Sequence, residues 1–240
     1  MRLSTVGAIW HRAKSLLKRE HDEFLRDVSG VIHVGANTGQ ERDRYERHAL
    51  RVIWIDPIPE VFETLKANLK GLHQQRALEY LVTDQDGAEC EFHVANNNGA
   101  SSSILELKHH RDIWPHVAYT RTIALSSTTL ASLLQSERID PAEYDALIVD
   151  TQGTELLVLK GAARVLHNFK YVKAEVADFE SYAGCCQLAD VDSFLQGHGY
   201  REFSRHKFAN RAQGGSYYEI VYKRIAWQCG ALDRPSPQPH

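Results

Sequence analysis

Apolar residues fall into short continuous runs that alternate along the chain with segments of helical periodicity. The runs are typical of strands buried on both faces, and they are VIHV (31–34), RVIWID (51–56), ALEYLVTD (77–84), DALIVD (145–150) and YVKAEV (171–176). Helical spacing marks the segments 40–48, 59–69, 154–166 and 190–197. Strands that alternate with helices predict a parallel sheet with right-handed crossovers.

The C-terminal part departs from this alternation. GYREFSR (199–205) and SYYEIVY (216–222) read as two strands joined by a short connection, which predicts an antiparallel hairpin at one edge of the sheet. The predicted fold class is therefore α/β: a Rossmann-like, mostly parallel seven-stranded sheet with an antiparallel C-terminal edge hairpin and helices on both faces.

Residues 85–142 interrupt the alternation of strands and helices. EFHVA (91–95) reads as a strand, TRTIAL (120–125) as an edge strand and Thr129–Leu134 as a short helix. Between them, NNNGASSS (96–103) predicts a polar loop that contributes nothing to the core.

The two ends of the chain differ from the middle. An apolar stripe that includes Ile9, Trp10 and Leu16 predicts an N-terminal helical extension over residues 1–28. We expect that helix to pack on the domain or on a second copy in a homo-oligomer, with a membrane-surface helix as the alternative. The proline-rich tail, 226–240, is predicted to be disordered.

Composition and charge exclude several classes of protein. The formal net charge of −3 provides no basic surface for nucleic acid. The sequence has no run of 18 apolar residues, so no transmembrane segment is predicted. The first residues lack the apolar stretch of a signal peptide. The four cysteines have no disulfide or zinc spacing. These features predict a reduced, cytoplasmic protein.

A glycine turn follows the first predicted strand, in VIHVGANTGQ (31–40). It has neither the GxGxxG of a dinucleotide fingerprint nor the lysine of a P-loop, so a pyrophosphate has no evident cradle. Asp56 ends the next strand at the distance from Gly35 at which an acid accepts hydrogen bonds from ribose hydroxyls. A nucleoside without a long phosphate tail fits, and S-adenosylmethionine is the common one; a purely structural turn is the alternative.

Five segments in order resemble FkbM-type class I S-adenosylmethionine-dependent methyltransferases. They are VIHVGANTGQE, WIDPIPEVFETLKANL, LVTDQDGAECEFHVANNNGASSSIL, LIVDTQGTELLVLKGA, and YVKAEVADFESY through FLQGHGY. The resemblance implies a methyltransferase domain over 29–225 with the class I fold. It also implies an O-methyltransferase that acts on a hydroxyl of a sugar, glycan or natural product.

The resemblance further implies which residues bind the cofactor. Gly35, Ala36, Asn37 and Gly39 would wrap the methionine part, Asp56 would hold the ribose, Asp84 would lie near the adenine, and Ser102 belongs to a serine pair of the third segment. His33 stands where the family more often has Asp. A neutral histidine could accept one hydrogen bond there, but not as an anion.

The acceptor side is predicted from strand ends. Asp150 ends one central strand and Glu175 nearly ends its neighbour, so both carboxylates could converge where open α/β sheets bind ligands. They are the candidate catalytic residues. A divalent metal held by this pair is an alternative that we do not favour, because no third ligand is evident. His93, His109, His110 and His116 are further candidate bases.

Two rival functions remain open on the sequence. One is a non-catalytic S-adenosylmethionine-binding module that kept the fold, suggested by His33 and by Ala131 where the family often has Asp. The other is an NAD-linked enzyme, which Asn37 in the glycine turn disfavours. For the methyltransferase, the expected partner is a small-molecule or glycan acceptor.

Overall fold

The structure, a computed structural model, describes residues 22–225. Most of the predicted N-terminal helical extension, with its apolar stripe, lies outside these residues, as does the predicted disordered tail. The described chain begins with a short 3-10 helix, Glu23–Asp27, whose Phe24 and Leu25 are buried against the central sheet. These two side chains join residues 22–28 to the core of the domain.

Ten strands lie within the described residues. They are β1 (Gly30–Val34), β2 (Arg51–Ile55), β3 (Gln75–Leu78), β4 (Leu81–Thr83), β5 (Glu89–Ala95), β6 (Tyr119–Thr129), β7 (Ala146–Val149), β8 (Tyr171–Ala177), β9 (Tyr200–Asn210) and β10 (Ser216–Arg224). Seven form one sheet in the order β3-β2-β1-β7-β8-β10-β9, in which only β10 and β9 run antiparallel to their neighbours. This confirms the predicted fold class and its edge hairpin.

Helices cover both faces of this sheet. They are α1 (Arg42–Arg47), α2 (Pro59–Asn68), α3 (Leu130–Ser136), α4 (Glu155–Gly161) and α5 (Leu188–Gly197). The first two pack Tyr45 and Leu65 into the apolar cluster on one face, and the other three pack into the cluster on the opposite face. Because residues of a strand point alternately to the two faces, β1 places Val31 in one cluster and Ile32 in the other. Within residues 22–225, no helix has the length and apolar character needed to cross a membrane.

A second sheet of three strands, in the order β4-β6-β5, corrects two predictions. The single strand predicted at 77–84 is two strands, because β3 pairs with β2 in the large sheet whereas β4 pairs with β6. The segment predicted as an edge strand, 120–125, belongs to β6, which lies between its two partners. Sequence periodicity does not distinguish which sheet a strand joins, since either pairing buries the same apolar face.

Two further predictions differ from the structure. The helix predicted over 154–166 ends at Gly161, where a Cβ atom would lie 2.1 Å from the carbonyl oxygen of Thr83. The loop 96–103 is polar, as predicted, but Ser101, Ser102 and Ser103 are buried. Their hydroxyl groups have hydrogen-bond partners inside the protein, which removes the cost of burying them.

Candidate functional site

A cavity of about 350 Å³ lies at the carboxyl ends of β1, β2 and β7. The strand order reverses between β1 and β7, so the loops after these two strands diverge and leave a crevice, as is general for open α/β sheets. The volume lies within the range of small-molecule sites. The lining residues come from four stretches: 33–41, 55–58, 80–104 and 150–154.

The glycine turn forms one wall of the cavity, which Gly35 and Asn37 line and Gly39 does not, and it depends on left-handed backbone. Gly35, Asn37 and Gly39 have φ of 81°, 44° and 73°. A Cβ atom on Gly35 would lie 1.7 Å from the carbonyl oxygen of Asp150. Glycine is therefore required at position 35 because the backbone at Asp150 approaches it closely, whether or not a ligand is bound.

Asp56 lies at the base of the same wall and is 4% exposed. Its two carboxylate oxygens accept hydrogen bonds from the backbone N–H groups of Asn37, at 2.8 Å, and Ile58, at 3.1 Å. Burial raises the pKa of Asp56 to about 6, although both hydrogen bonds act to lower it. Near neutral pH the cavity therefore has a buried carboxylate with remaining acceptor capacity.

His33 lines the cavity as a neutral side chain. It is 5% exposed, its ring lies 5.3 Å from the Trp54 ring, and its Nδ1 lies 3.2 Å from the Tyr45 hydroxyl oxygen. Burial lowers the pKa of His33 to about 4, and the opposing effect of the Glu41 carboxylate is smaller. His33 thus provides packing and the one donor and one acceptor nitrogen of a neutral imidazole, and no charge.

Asp150 and Glu175 are joined through a third side chain. Asp150 lines the cavity, whereas Glu175 is not among the lining residues. The side-chain amide nitrogen of Gln152 donates to Asp150 at 2.7 Å and lies 3.4 Å from Glu175. Burial, followed by the nearby Glu155 carboxylate, raises the pKa of Asp150 to about 7. Burial and then the Asp150 charge raise the pKa of Glu175 well above its ordinary value.

Of the other residues predicted to bind the cofactor, two line the cavity and Asp84 does not. Ala36 and Ser102 line the cavity, and the Ser102 hydroxyl oxygen accepts a hydrogen bond from the Ala95 N–H. Asp84 is not among the lining residues and lies beside Gly161 of α4. The wall on that side is apolar instead, and its members are Ile58, Leu81, Val82, Phe92 and Ile104.

The four histidines that the sequence suggested as candidate bases do not line the cavity. They are His93, His109, His110 and His116. His110 is buried, with its ring nitrogens 3.1 Å from the Ser101 hydroxyl and 2.6 Å from the Tyr217 hydroxyl, and burial lowers its pKa to about 4. Within residues 22–225, no group of three or more His, Cys, Asp or Glu side chains is arranged to hold a metal ion.

Sequence reasoning missed several lining residues. Gln40 and Glu41 follow the glycine turn and Gln152 lies two residues after Asp150, so proximity to predicted residues could have identified them. Phe92 and Ile104 carry no such signal. They reach the cavity through β5 and the loop after it, which the pairing in the second sheet positions.

Comparison with known proteins identifies a family. The profile described as the methyltransferase FkbM domain matches residues 33–202. A search of curated protein sequences returned no match.

Solved structures provide a comparison of the fold. An uncharacterized protein from Listeria monocytogenes is 8% identical, with a TM-score of 0.51, and the match covers 94% of this chain and 69% of that one. The tRNA methyltransferase TrmK of B. subtilis is 11% identical, with a TM-score of 0.49, over 87% of this chain and 65% of that one. Magnesium protoporphyrin IX methyltransferase from Synechocystis, solved with S-adenosylmethionine bound, is 10% identical, with a TM-score of 0.46, over 94% and 86%.

Proposed function

Because the chain belongs to the FkbM methyltransferase family, we propose that the cavity binds S-adenosylmethionine and that the protein is an O-methyltransferase. The acceptor is a hydroxyl group of a sugar, glycan or natural product. The general activity follows from the family, whereas the acceptor class and the roles of individual residues are our proposal.

The charge of the cavity lining carries this proposal. Three of the described lining residues are carboxylic acids, Glu41, Asp56 and Asp150, and none is Lys or Arg. S-adenosylmethionine is cationic at its sulfonium and ammonium groups, whereas NAD has a negatively charged pyrophosphate. Carboxylates attract the first ligand and repel the second. The lining therefore favours S-adenosylmethionine over NAD.

The two ends of the cavity suit the two ends of this ligand. The apolar wall that includes Val82 and Phe92 suits a purine ring, and the adjacent buried Asp56 carboxylate can accept hydrogen bonds from ribose hydroxyls. At the other end, the glycine turn and the carboxylate of Glu41 suit the methionine part. We assign Asp84 no contact with the adenine, because it does not line the cavity.

The proposed chemistry places the acceptor at the acidic end. Bound S-adenosylmethionine supplies a methyl group activated by a sulfonium. The protein must orient the acceptor hydroxyl in line with that group and remove its proton. Asp150 suits the second task, because a pKa of about 7 makes it a better base than an ordinary carboxylate near neutral pH. Glu175, whose pKa burial raises, supports the orientation of Asp150 through Gln152.

Calorimetry tests the binding site. The wild-type protein is titrated with S-adenosylmethionine and with NAD, and only the first is expected to bind. Asp56→Ala leaves ribose hydroxyls without their acceptor and should weaken binding by about 1–3 kcal/mol. Asp43→Ala is the matched control, because the Asp43 side chain is 80% exposed on α1. Equal affinities for a folded Asp56→Ala protein and the wild type would remove Asp56 from the site.

Methyl transfer tests the role of Asp150. Acceptors are first screened with a radiolabelled methyl donor. Asp150→Asn keeps the shape of the side chain and removes the base, so kcat should fall by about 10²–10⁴-fold. Affinity for S-adenosylmethionine should change little. Wild-type kcat should rise with pH through about 7, the pKa of Asp150. A fully active Asp150→Asn enzyme contradicts this assignment, and loss of activity with a chelator would instead support the metal alternative.

A further inference from the structure

Gln152 has an unusual backbone conformation. It has a φ of 54°, a left-handed backbone that few residues other than glycine and asparagine adopt readily. The turn around it is fixed by Glu155, whose buried carboxylate accepts hydrogen bonds from the N–H groups of Thr151 and Gly153. The Ser103 hydroxyl donates to the Gln152 carbonyl at 2.9 Å. Several independent contacts thus hold this strained residue in place.

The side-chain amide of Gln152 is oriented by a hydrogen bond to its oxygen. Its amide oxygen accepts a hydrogen bond of 2.7 Å from the hydroxyl of Tyr182, which is fully buried. Burial raises the pKa of Tyr182, so its hydroxyl remains protonated and can donate. A reversed amide would turn its oxygen toward two carboxyl groups. Tyr182 and these carboxyl groups therefore require the same amide orientation.

We infer that Gln152 is a positioning residue for methyl transfer: its amide N–H groups bridge Asp150 and Glu175 and keep Asp150 oriented and ionised toward the acceptor hydroxyl. The inference rests on the proposed function. The bridge uses Oδ1 of Asp150. Within residues 22–225, Oδ2 of Asp150 forms no hydrogen bond with the protein, which leaves that oxygen for the acceptor.

The electrostatic surroundings explain why such a bridge is needed. Asp150 faces Glu41 in the turn before α1, Glu155 on α4 and Glu219 on β10, in addition to Glu175 on β8. These carboxylates and burial favour protonated Asp150, whereas the hydrogen bond from Gln152 favours the ionised form. Lys173 on β8 opposes the rise in the pKa of Glu175 and is itself paired with Glu219. Gln152 is thus the direct hydrogen-bond donor to the ionised Asp150 side chain.

The test measures the Asp150 titration directly and needs no acceptor. The protein is labelled with carbon-13 at aspartate side-chain carboxyls, and the Asp150 resonance is identified by its loss in Asp150→Asn. Gln152→Asn tolerates the left-handed backbone, but its amide is one methylene shorter and cannot reach both carboxyls. We expect its Asp150 titration to move up by about one pH unit. Gln135→Asn, at an exposed position on α3, should leave the titration unchanged.

Two further measurements complete the test. Tyr182→Phe removes the contact that orients the amide and should shift the Asp150 titration in the same direction by a smaller amount. It also provides the test if Gln152→Asn does not fold. An Asp150 titration equal to the wild type in folded Gln152→Asn or Tyr182→Phe protein overturns the inference. Failure of the proposed function has a different signature: calorimetry would then detect no S-adenosylmethionine binding by the wild type, whatever the titrations show.

Discussion

At the scale of single residues, burial raises the pKa values of Asp56 and Asp150 in the cavity lining and of Glu175 beside them. Asp56 is the simplest case, because backbone N–H groups alone are its direct partners within residues 22–225 and burial dominates its pKa. Burying an ionised carboxylate costs free energy that its hydrogen bonds only partly offset. Such a position lowers the stability of the free protein at neutral pH. This cost is expected where a carboxylate is retained to bind a ligand.

The pH dependence of stability tests this account of Asp56. Its folded-state pKa of about 6 exceeds the reference value of 3.8, so the folded state binds the proton more tightly. The stability gained in this way is fully present below pH 3.8 and is lost as pH rises through about 6. The Asp56→Asn variant has no titrating carboxyl group at this position, so it does not lose this stability as pH rises. The free energy of unfolding of the variant, relative to wild type, should therefore increase by about 3 kcal/mol from pH 3.8 to above 6.

Urea unfolding at a series of pH values measures that difference. The absolute stability of Asp56→Asn also includes a changed hydrogen bond to Asn37 or Ile58, so the slope with pH is the decisive quantity. A difference between variant and wild type that is independent of pH over this interval contradicts the raised pKa.

At the scale of elements, a buried ion-pair network joins the 3-10 helix, α1 and the sheet. The Lys173 ammonium on β8 lies 3.0 Å from Glu219 on β10 and 3.7 Å from Asp22, which in turn pairs with Arg44 at 2.6 Å. Burial alone would lower the pKa of Lys173, but the two carboxylates outweigh it and raise the pKa. The network fixes the chain at Asp22 against the face of the sheet that also carries His33.

Removing the lysine tests the energetic importance of this network. Lys173→Met should lower the free energy of unfolding by about 3–5 kcal/mol, because it removes the ammonium group that Glu219 and Asp22 share. Lys66→Met is the matched control: Lys66 pairs with Glu63 on the surface of α2, with side chains 50% and 67% exposed. It should cost less than about 1 kcal/mol. Similar urea midpoints for the two variants would show that the Lys173 pair contributes no more than a surface pair.

At the scale of the whole molecule, topology creates the site. Parallel strands on both sides of β1 all end at the same edge, and the reversal of strand order between β1 and β7 opens the crevice there. The small second sheet closes one side of the crevice with Leu81 and Phe92. The side chain of Asn37 ties the loop 96–103 to the glycine turn through a 3.0 Å hydrogen bond to the Asn98 carbonyl. The cavity is therefore formed where two sheets and two loops meet.

The sequence alone determined the large sheet and three segments at its strand ends that line the cavity. Periodicity is a local property, and parallel strands must end at one edge. The glycine turn, Asp56 and Asp150 each follow a predicted parallel strand, so their positions in the chain are enough to place them at a common site. The family followed from five local segments, and the FkbM domain match confirms it.

The tertiary structure decided what depends on distant contacts. Asp84 is not among the lining residues and Phe92 is, because β4 and β5 both pair with β6 in a separate sheet. The bridge of Gln152 between Asp150 and Glu175 depends on the hydroxyl of Tyr182, which is 30 residues away in the chain. Burial raises the pKa values of Asp56 and Asp150. The local sequence pattern does not show how deeply an individual carboxyl group is buried. Such features arise only when the whole chain has packed, because each one is a property of its surroundings and not of its own segment.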